Sequence, residues 1–365
     1  MNIVDFLSEL RQLDIQISLN GDKLKIKAPQ GALTKEIKIQ LKDRKQDIID
    51  FFSGAQKQDE SKKIIRVENP QQIPLSFGQQ RLWFFEEANP GTVANNMSAG
   101  IRLKGPLNTD IIQSVFEALV QRHESLRTTF YVNEDGVPFQ QVSENIGFST
   151  DFLTVEGESE YQEQKIEKLL AQEVKQTFDL NNGPLLRAKL IALPRVGTRE
   201  CEEHVLIIGM HHIISDGLSV AILMREIAML YWAFNSNMAS PLPPLEVQYP
   251  DFSIWQRQYL EGEGLEKQLG YWEKKLSNAP MLSTFPSDMT RPPVQTSNGA
   301  THRVEFPEGF GRRLSDFANQ QGVTPFIVLL TAWKMLLSRY SQQEDLCVGI
   351  PTSGRGQPAL EPIIG

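Results

Sequence analysis

Two adjacent histidines stand in the run Met210-His211-His212-Ile213-Ile214-Ser215-Asp216-Gly217. Histidine is the side chain that most readily gives and takes protons near neutral pH. The Asp-Gly pair four positions after His212 adds a carboxylate able to fix the local geometry. Together these types suggest acyl transfer. A plainer account also fits: a hydrogen-bonded core histidine, with Asp216 as a helix N-cap and Gly217 relaxing the turn. A metal reading is weaker. Neighbouring residues of an extended strand point to opposite sides, so His211 and His212 are poor co-ligands, and no metal is predicted.

The elements around the pair set how it is held. Val205-Leu206-Ile207-Ile208 reads as a buried strand, and Leu218 to Trp232 reads as a helix. The histidines therefore fall where a strand ends and the chain turns. Apolar residues at helical spacing follow from Ile111 to Val120 and from Ile166 to Phe178. Strand patterns lie at 99–103, 139–142, 186–192 and 204–210. This alternation predicts an α/β domain. Pro241, Pro243 and Pro244 mark a break, dividing 73–240 from 241–365.

Residues 1–52 read as a separate small unit. Ile3, Phe6, Leu7, Leu10 and Leu13 have helical spacing; Ile15, Ile17, Leu19 and then Leu24, Ile26, Ala28 alternate. Asn20-Gly21 between them predicts a hairpin turn, since both turn positions need positive φ. Thr34 is placed to cap a helical region with Ile37, Leu41, Ile48 and Phe52 on one face. Residues 53–72 are polar, without periodicity, and read as a linker.

Composition narrows the classes. With 365 residues, 40% hydrophobic and 22% charged, the chain has the make-up of a globular protein of more than one domain. A net charge of -8 gives no electrostatic case for nucleic acid. Two distant cysteines predict a cytoplasmic protein with free thiols. No stretch reads as a membrane span; Phe326 to Leu337 comes nearest, and Lys334 breaks it.

Five further motifs are collinear with the histidine pair. They are Ser76-Phe-Gly-Gln-Gln-Arg-Leu-Trp83, Arg122-His-Glu-Ser-Leu-Arg-Thr-Thr-Phe130, Phe178-Asp-Leu-Asn-Asn-Gly-Pro-Leu-Leu-Arg187, Tyr249-Pro-Asp-Phe-Ser-Ile-Trp-Gln256 and Ile350-Pro-Thr-Ser-Gly-Arg355. In this order, residues 73–365 resemble the condensation domain of nonribosomal peptide synthetases. The spacing from His211 to Asp216 also matches the His-x4-Asp pattern of glycerolipid acyltransferases, but His-His-x3-Asp-Gly uses more of the residues. Residues 1–52, through Asn20-Gly21, Asp22-Lys-Leu-Lys-Ile-Lys-Ala-Pro29 and Gly31-Ala-Leu-Thr34, resemble the docking domain of the tubulysin-synthetase type.

The resemblance implies an α/β (α+β) fold of two chloramphenicol-acetyltransferase-like lobes set in a V around a tunnel, preceded by a small αββα-type docking domain. It implies amide formation between a donor aminoacyl or peptidyl thioester and an acceptor aminoacyl thioester. Both substrates ride on phosphopantetheine arms of carrier proteins, so no cofactor is bound directly. It makes His212 the catalytic histidine, as a base, as a positioner of the amine or as a hydrogen-bonding partner of the tetrahedral intermediate, and His211 structural. Asp216 is implied to form a salt bridge with Arg122 or Arg127, and Gly217 to leave room in the tunnel. Tyr249, Trp255 and Arg355 become tunnel candidates, though core packing explains Tyr249 and Trp255 equally well. The docking unit would receive, by strand addition, the C-terminal tail of the synthetase polypeptide that acts upstream. Lys23, Lys25 and Lys27, on one strand face, would favour an acidic tail; alternatively they protect a strand edge. No nucleic-acid or membrane partner is implied.

Some positions depart from the family pattern. His211 stands where the cyclising branch has an aspartate; epimerisation members share the His-His pair and remain an alternative. Gly356 replaces a common Asn. The sequence ends at Ile363-Ile-Gly365, inside a motif that runs on in relatives, which predicts an incomplete second lobe. A docking or scaffold fragment without turnover is the competing class.

Overall fold

The computed structural model describes residues 16–20, 23–27, 37, 40, 41, 44, 45, 48 and 63–365, apart from 69, 71, 145–146, 195–201, 281–284, 291, 294–299, 301 and 303. The chain divides into two compact units, Met1–Arg66 and Val67–Gly365. That boundary falls inside the stretch read as a linker.

In the first unit, β1 (Gln16–Asn20) and β2 (Lys23–Lys27) form an antiparallel hairpin. Asn20 pairs with Lys23. Asn20 is therefore a paired strand residue and not the turn position predicted from sequence. Ile37, Gln40, Leu41, Lys45 and Ile48 are helical, and Leu41 and Ile48 are buried. The helix expected over 3–13, the Thr34 cap and Phe52 lie outside the described residues.

Among its described residues the second unit carries two sheets. A short one orders β3 (Ile73–Pro74), β6 (Pro138–Val142) and β5 (Thr128–Val132), with β6 between the other two. The larger one runs β4 (Asn96–Lys104), β9 (Glu203–His211), β8 (Leu186–Ala192), β7 (Asp151–Thr154). Among the described strands only β7–β8, joined through helix α3 (Ser159–Lys175), is parallel; the other pairs are antiparallel. The sheets are thus more antiparallel than the alternation of elements implies.

The continuous apolar run of β9 follows from burial on both faces. Leu206, Ile208 and Met210 join a core built on α2 (Ile112–Arg122) and α4 (Gly217–Asn235). Val205 and Ile207 join a second cluster beneath α3, with Ile166, Leu169 and Leu170. Helix α3 ends at Lys175, short of Phe178. Helix α4 is long and apolar enough by length and composition to cross a membrane, contrary to the sequence reading. Its Ile222, Leu223, Ile227 and Leu230 are nevertheless packed in the core.

After the proline break, α5 (Tyr249–Tyr259) packs back against β3 and the turn before β5. Asp251 on α5 accepts the Val67 N–H at 2.9 Å. Contacts with the first half therefore continue beyond residue 240. Among the described residues α6 (Gly262–Leu276), α7 (Phe310–Gln320) and α8 (Pro325–Ser341) follow. Large apolar side chains on them, such as Trp272, Phe317 and Trp333, are exposed.

Candidate functional site

The strand-to-helix turn splits the two histidines. His211 ends β9 and is buried, edge-on to Phe178 at 6.0 Å. Its Nδ1 accepts the Ile213 N–H at 3.1 Å, so its proton sits on Nε2, which donates to Glu86 Oε1 at 3.0 Å. Burial lowers the imidazole pKa, outweighing the raising effect of Glu86. His211 is therefore a neutral ring with both nitrogens used.

His212 is exposed. Its backbone N–H donates to Asn95 O at 2.9 Å. Its Nδ1 lies 2.7 Å from Ser215 O. A carbonyl only accepts, so Nδ1 carries a hydrogen, and in the neutral ring the lone pair falls on Nε2. This is the tautomer a base at Nε2 requires.

Asp216 caps α4, its Oδ1 accepting Ser219 N–H at 2.7 Å and Ser219 Oγ–H at 2.6 Å. The same oxygen takes Arg355 Nη2 at 3.0 Å. The salt-bridge partner is thus Arg355, and the expected pairing with Arg122 or Arg127 is corrected. Arg122 instead meets the buried Glu226 at 3.2 Å and donates to Pro243 O. Arg127 donates to Ser143 O and lies 3.7 Å from Glu124. Geometry explains the exchange. Arg122 ends α2, which packs on α4 near Glu226, ten residues beyond Asp216. At 1.5 Å per residue the two carboxylates are about 15 Å apart along the helix.

Arg355 also gathers the segment that follows it. Its Nη1 donates to the carbonyls of Leu360, at 2.9 Å, and Ile363. Ser125 Oγ donates to Ile364 O at 2.7 Å, and Ile364 N–H donates to His123 Nδ1 at 3.3 Å. His123 is fully buried, with Nε2 2.7 Å from Glu226 Oε2. Burial lowers its pKa.

These parts surround a cavity of about 290 Å³. His212, Ser215 and Asp216 line it from the turn, Ser76, Gln79 and Leu82 from α1 (Phe77–Ala88), Tyr249, Phe252 and Gln256 from α5, and Thr352 to Arg355 from the late loop. Four of the separate sequence motifs therefore converge here. Tyr249 is in the lining, its hydroxyl 2.9 Å from Ser76 Oγ, and burial raises its pKa. Trp255 is not in the lining; it stacks on Tyr259 at 4.9 Å. Gly217 is not in the lining either, and a Cβ built there meets no atom within 4 Å. The expected intrusion of a side chain at Gly217 therefore has no counterpart in this cavity.

Sequence reasoning missed Glu86, Asn95, Gln79 and Glu226. Ser76 and Gln79 lie in one of the collinear motifs, where Ser76 caps α1 and Gln79 closes the capping box. The buried Gln79 and Glu226 and the half-buried Glu86 and Asn95 gave no separate signal.

The histidine turn of this two-sheet unit thus opens on a cavity lined by four of the motifs. Residues 69–365 match the Condensation domain family, and residues 3–53 match the TubC N-terminal docking domain. The chain belongs to the condensation domain family of nonribosomal peptide synthetases. It is 36% identical over 316 residues to malpibaldin synthetase of Mortierella alpina, covering 86% of this chain and 6% of that protein. It is 33% identical over 366 residues to bacitracin synthase 2 of Bacillus licheniformis, covering 100% of this chain and 13% of that protein. The chain thus spans a small fraction of these relatives. The first condensation domain of the calcium-dependent antibiotic synthetase, solved with a substrate analogue, shares the fold with TM-score 0.70 at 18% identity, over 81% of this chain and 68% of that one.

Proposed function

We propose that the domain joins a donor acyl thioester to the α-amine of an acceptor aminoacyl thioester, both delivered on phosphopantetheine arms of carrier proteins. The observation that carries this is the state of His212: Nδ1–H on Ser215 O, ring exposed in the cavity, Nε2 free to accept. The acceptor amine attacks the thioester carbonyl, giving a tetrahedral intermediate. His212 Nε2 takes the proton the amine must lose. The C–S bond then breaks, the amide forms, and the proton passes to the departing thiolate. A free α-amine has a pKa near ~8, so the base needs only modest strength. Asp216, held between Ser219 and Arg355, shapes the turn without touching substrate. His211 has a supporting role, while Tyr249 and Arg355 line the tunnel. The chemistry needs no metal and no resident cofactor.

The docking unit receives the tail of the synthetase polypeptide that acts upstream. A two-stranded hairpin favours strand addition, and Lys23, Lys25 and Lys27 occupy alternate positions of β2 suited to an acidic peptide. A cytoplasmic setting goes with this reading.

The test is product formation by the full-length protein with both carriers loaded. Replacing His212→Ala should cut the rate by roughly 10²–10⁴. Equal product from parent and variant would refute His212 as the base.

A further inference from the structure

We propose that Glu86 is a positioning residue for His212, acting through the two peptide groups that flank its Cα. The inference rests on the reading of His212 as catalytic.

Glu86 lies in the last turn of α1, with its side chain 15% exposed. It is not among the residues lining the cavity. One of its oxygens, Oε1, accepts two hydrogen bonds: from Asn95 Nδ2 at 2.7 Å and from His211 Nε2 at 3.0 Å. Each donor residue in turn holds one amide beside His212. Asn95 offers its carbonyl to the His212 N–H at 2.9 Å. His211 offers Nδ1 to the Ile213 N–H at 3.1 Å. The peptide entering His212 and the peptide leaving it are thus both tied to residues that one carboxylate oxygen holds.

The tautomer of His211 belongs to the same device. Only with hydrogen on Nε2 is Nδ1 free to accept the Ile213 amide, and a carboxylate is the acceptor that enforces that choice. Two helical turns earlier on α1, Gln79 Nε2 reaches Ile213 O at 3.4 Å. Helix α1 therefore grips the His211–Ile213 segment at two points on one face. A small error in this turn displaces Nε2 of His212 relative to the amine, and misplacement by about 1 Å can cost about 10²-fold in rate.

The experiment compares the parent with Glu86→Ala, Glu86→Gln, Asn95→Ala and His212→Ala in the full-length protein, with loaded donor and acceptor carriers. The readings are maximal rate, half-saturation for the acceptor carrier, and melting temperature. Glu86→Ala should lower the maximal rate about 10²-fold while leaving half-saturation unchanged. Glu86→Gln keeps an oxygen for both donors and should recover the rate to within about tenfold of the parent. A parental maximal rate for Glu86→Ala alongside an inactive His212→Ala overturns the proposal. So does a change in half-saturation alone, or a folded Glu86→Gln as slow as Glu86→Ala. If Glu86→Ala does not fold, Asn95→Ala carries the test: a slower maximal rate at unchanged half-saturation supports the proposal, and a parental rate overturns it. A fully active His212→Ala means that the reading of His212 has failed, and this proposal falls with it.

Discussion

Arg355 should matter more to the fold than the carboxylate it meets. Its guanidinium side chain is 8% exposed and has partners on two sides. Toward α4 it reaches Asp216 Oδ1 and Ser219 Oγ, both at 3.0 Å. Toward its own segment it reaches the carbonyls of Leu360 and Ile363, both buried residues. Replacing Arg355→Ala leaves Asp216 with its two bonds from Ser219, so the carboxylate is still served. The Leu360 carbonyl keeps a long 3.4 Å bond from Ile363 N–H. The Ile363 carbonyl loses its donor, and each unserved buried group costs about 1–3 kcal/mol. Adding the lost charge-assisted bond to Asp216, the total is about 3–5 kcal/mol. Asp216→Asn keeps the cap and gives up only the charge, at about 1–2 kcal/mol. The double variant should then reveal a coupling of about 1 kcal/mol, well short of the Arg355→Ala cost. Urea unfolding of the four proteins, with slopes compared as well as midpoints, measures all three quantities. A coupling equal to the whole Arg355→Ala cost, or Asp216→Asn being the costlier change, would refute the reasoning.

Gly209 should resist even alanine. A Cβ there would stand 2.3 Å from Glu173 Oε1, and that carboxylate is pinned by Arg187 at 2.6 Å and Lys189 at 2.7 Å. Burial pushes the Glu173 carboxyl up, but the bonds from Lys189 and Arg187 outweigh it and hold the pKa below its ordinary value. Gly209→Ala should cost about 2–4 kcal/mol in the same unfolding assay, and a midpoint within error of the parent would count against it. Stability should also fall with acid before the carboxylates titrate. His123, His204 and His211 all have pKa values lowered chiefly by burial. Below 6.5 the unfolded chain takes up protons that the folded one refuses, so stability rises with pH in that window and is lost on acidification. Each histidine contributes up to about 1.4 kcal/mol per pH unit. Urea midpoints at pH 7.5 and 5.5 read the effect, and equal midpoints would contradict it.

What the sequence made legible follows local rules. Strand β9 was readable because both of its faces are covered, which demands an unbroken apolar run. The opposite burial of His211 and His212 was readable because a strand end forces adjacent side chains apart, while their roles came from the resemblance alone. The hairpin was readable too, yet Asn20 was assigned to its turn when the register pairs it with Lys23, because asparagine suits a turn and only the ladder decides. Side-chain partners across the fold obey no such local rule. Arg122 and Arg127 were the expected partners of Asp216, and Arg355 was read only as a tunnel candidate, yet all three carry the same guanidinium. The winner lies 139 residues away in the chain. The loser Arg122 was redirected to Glu226, a carboxylate inside α4 that no motif singled out. The same holds at the other end of the turn. Glu86 and Glu87 are adjacent and alike in type, but only Glu86 lies within reach of His211 and Asn95. Sequence motifs thus bring the residue types to this cavity, while the packing of α2 on α4 selects which of several equivalent charges meets Asp216 and which meets Glu226.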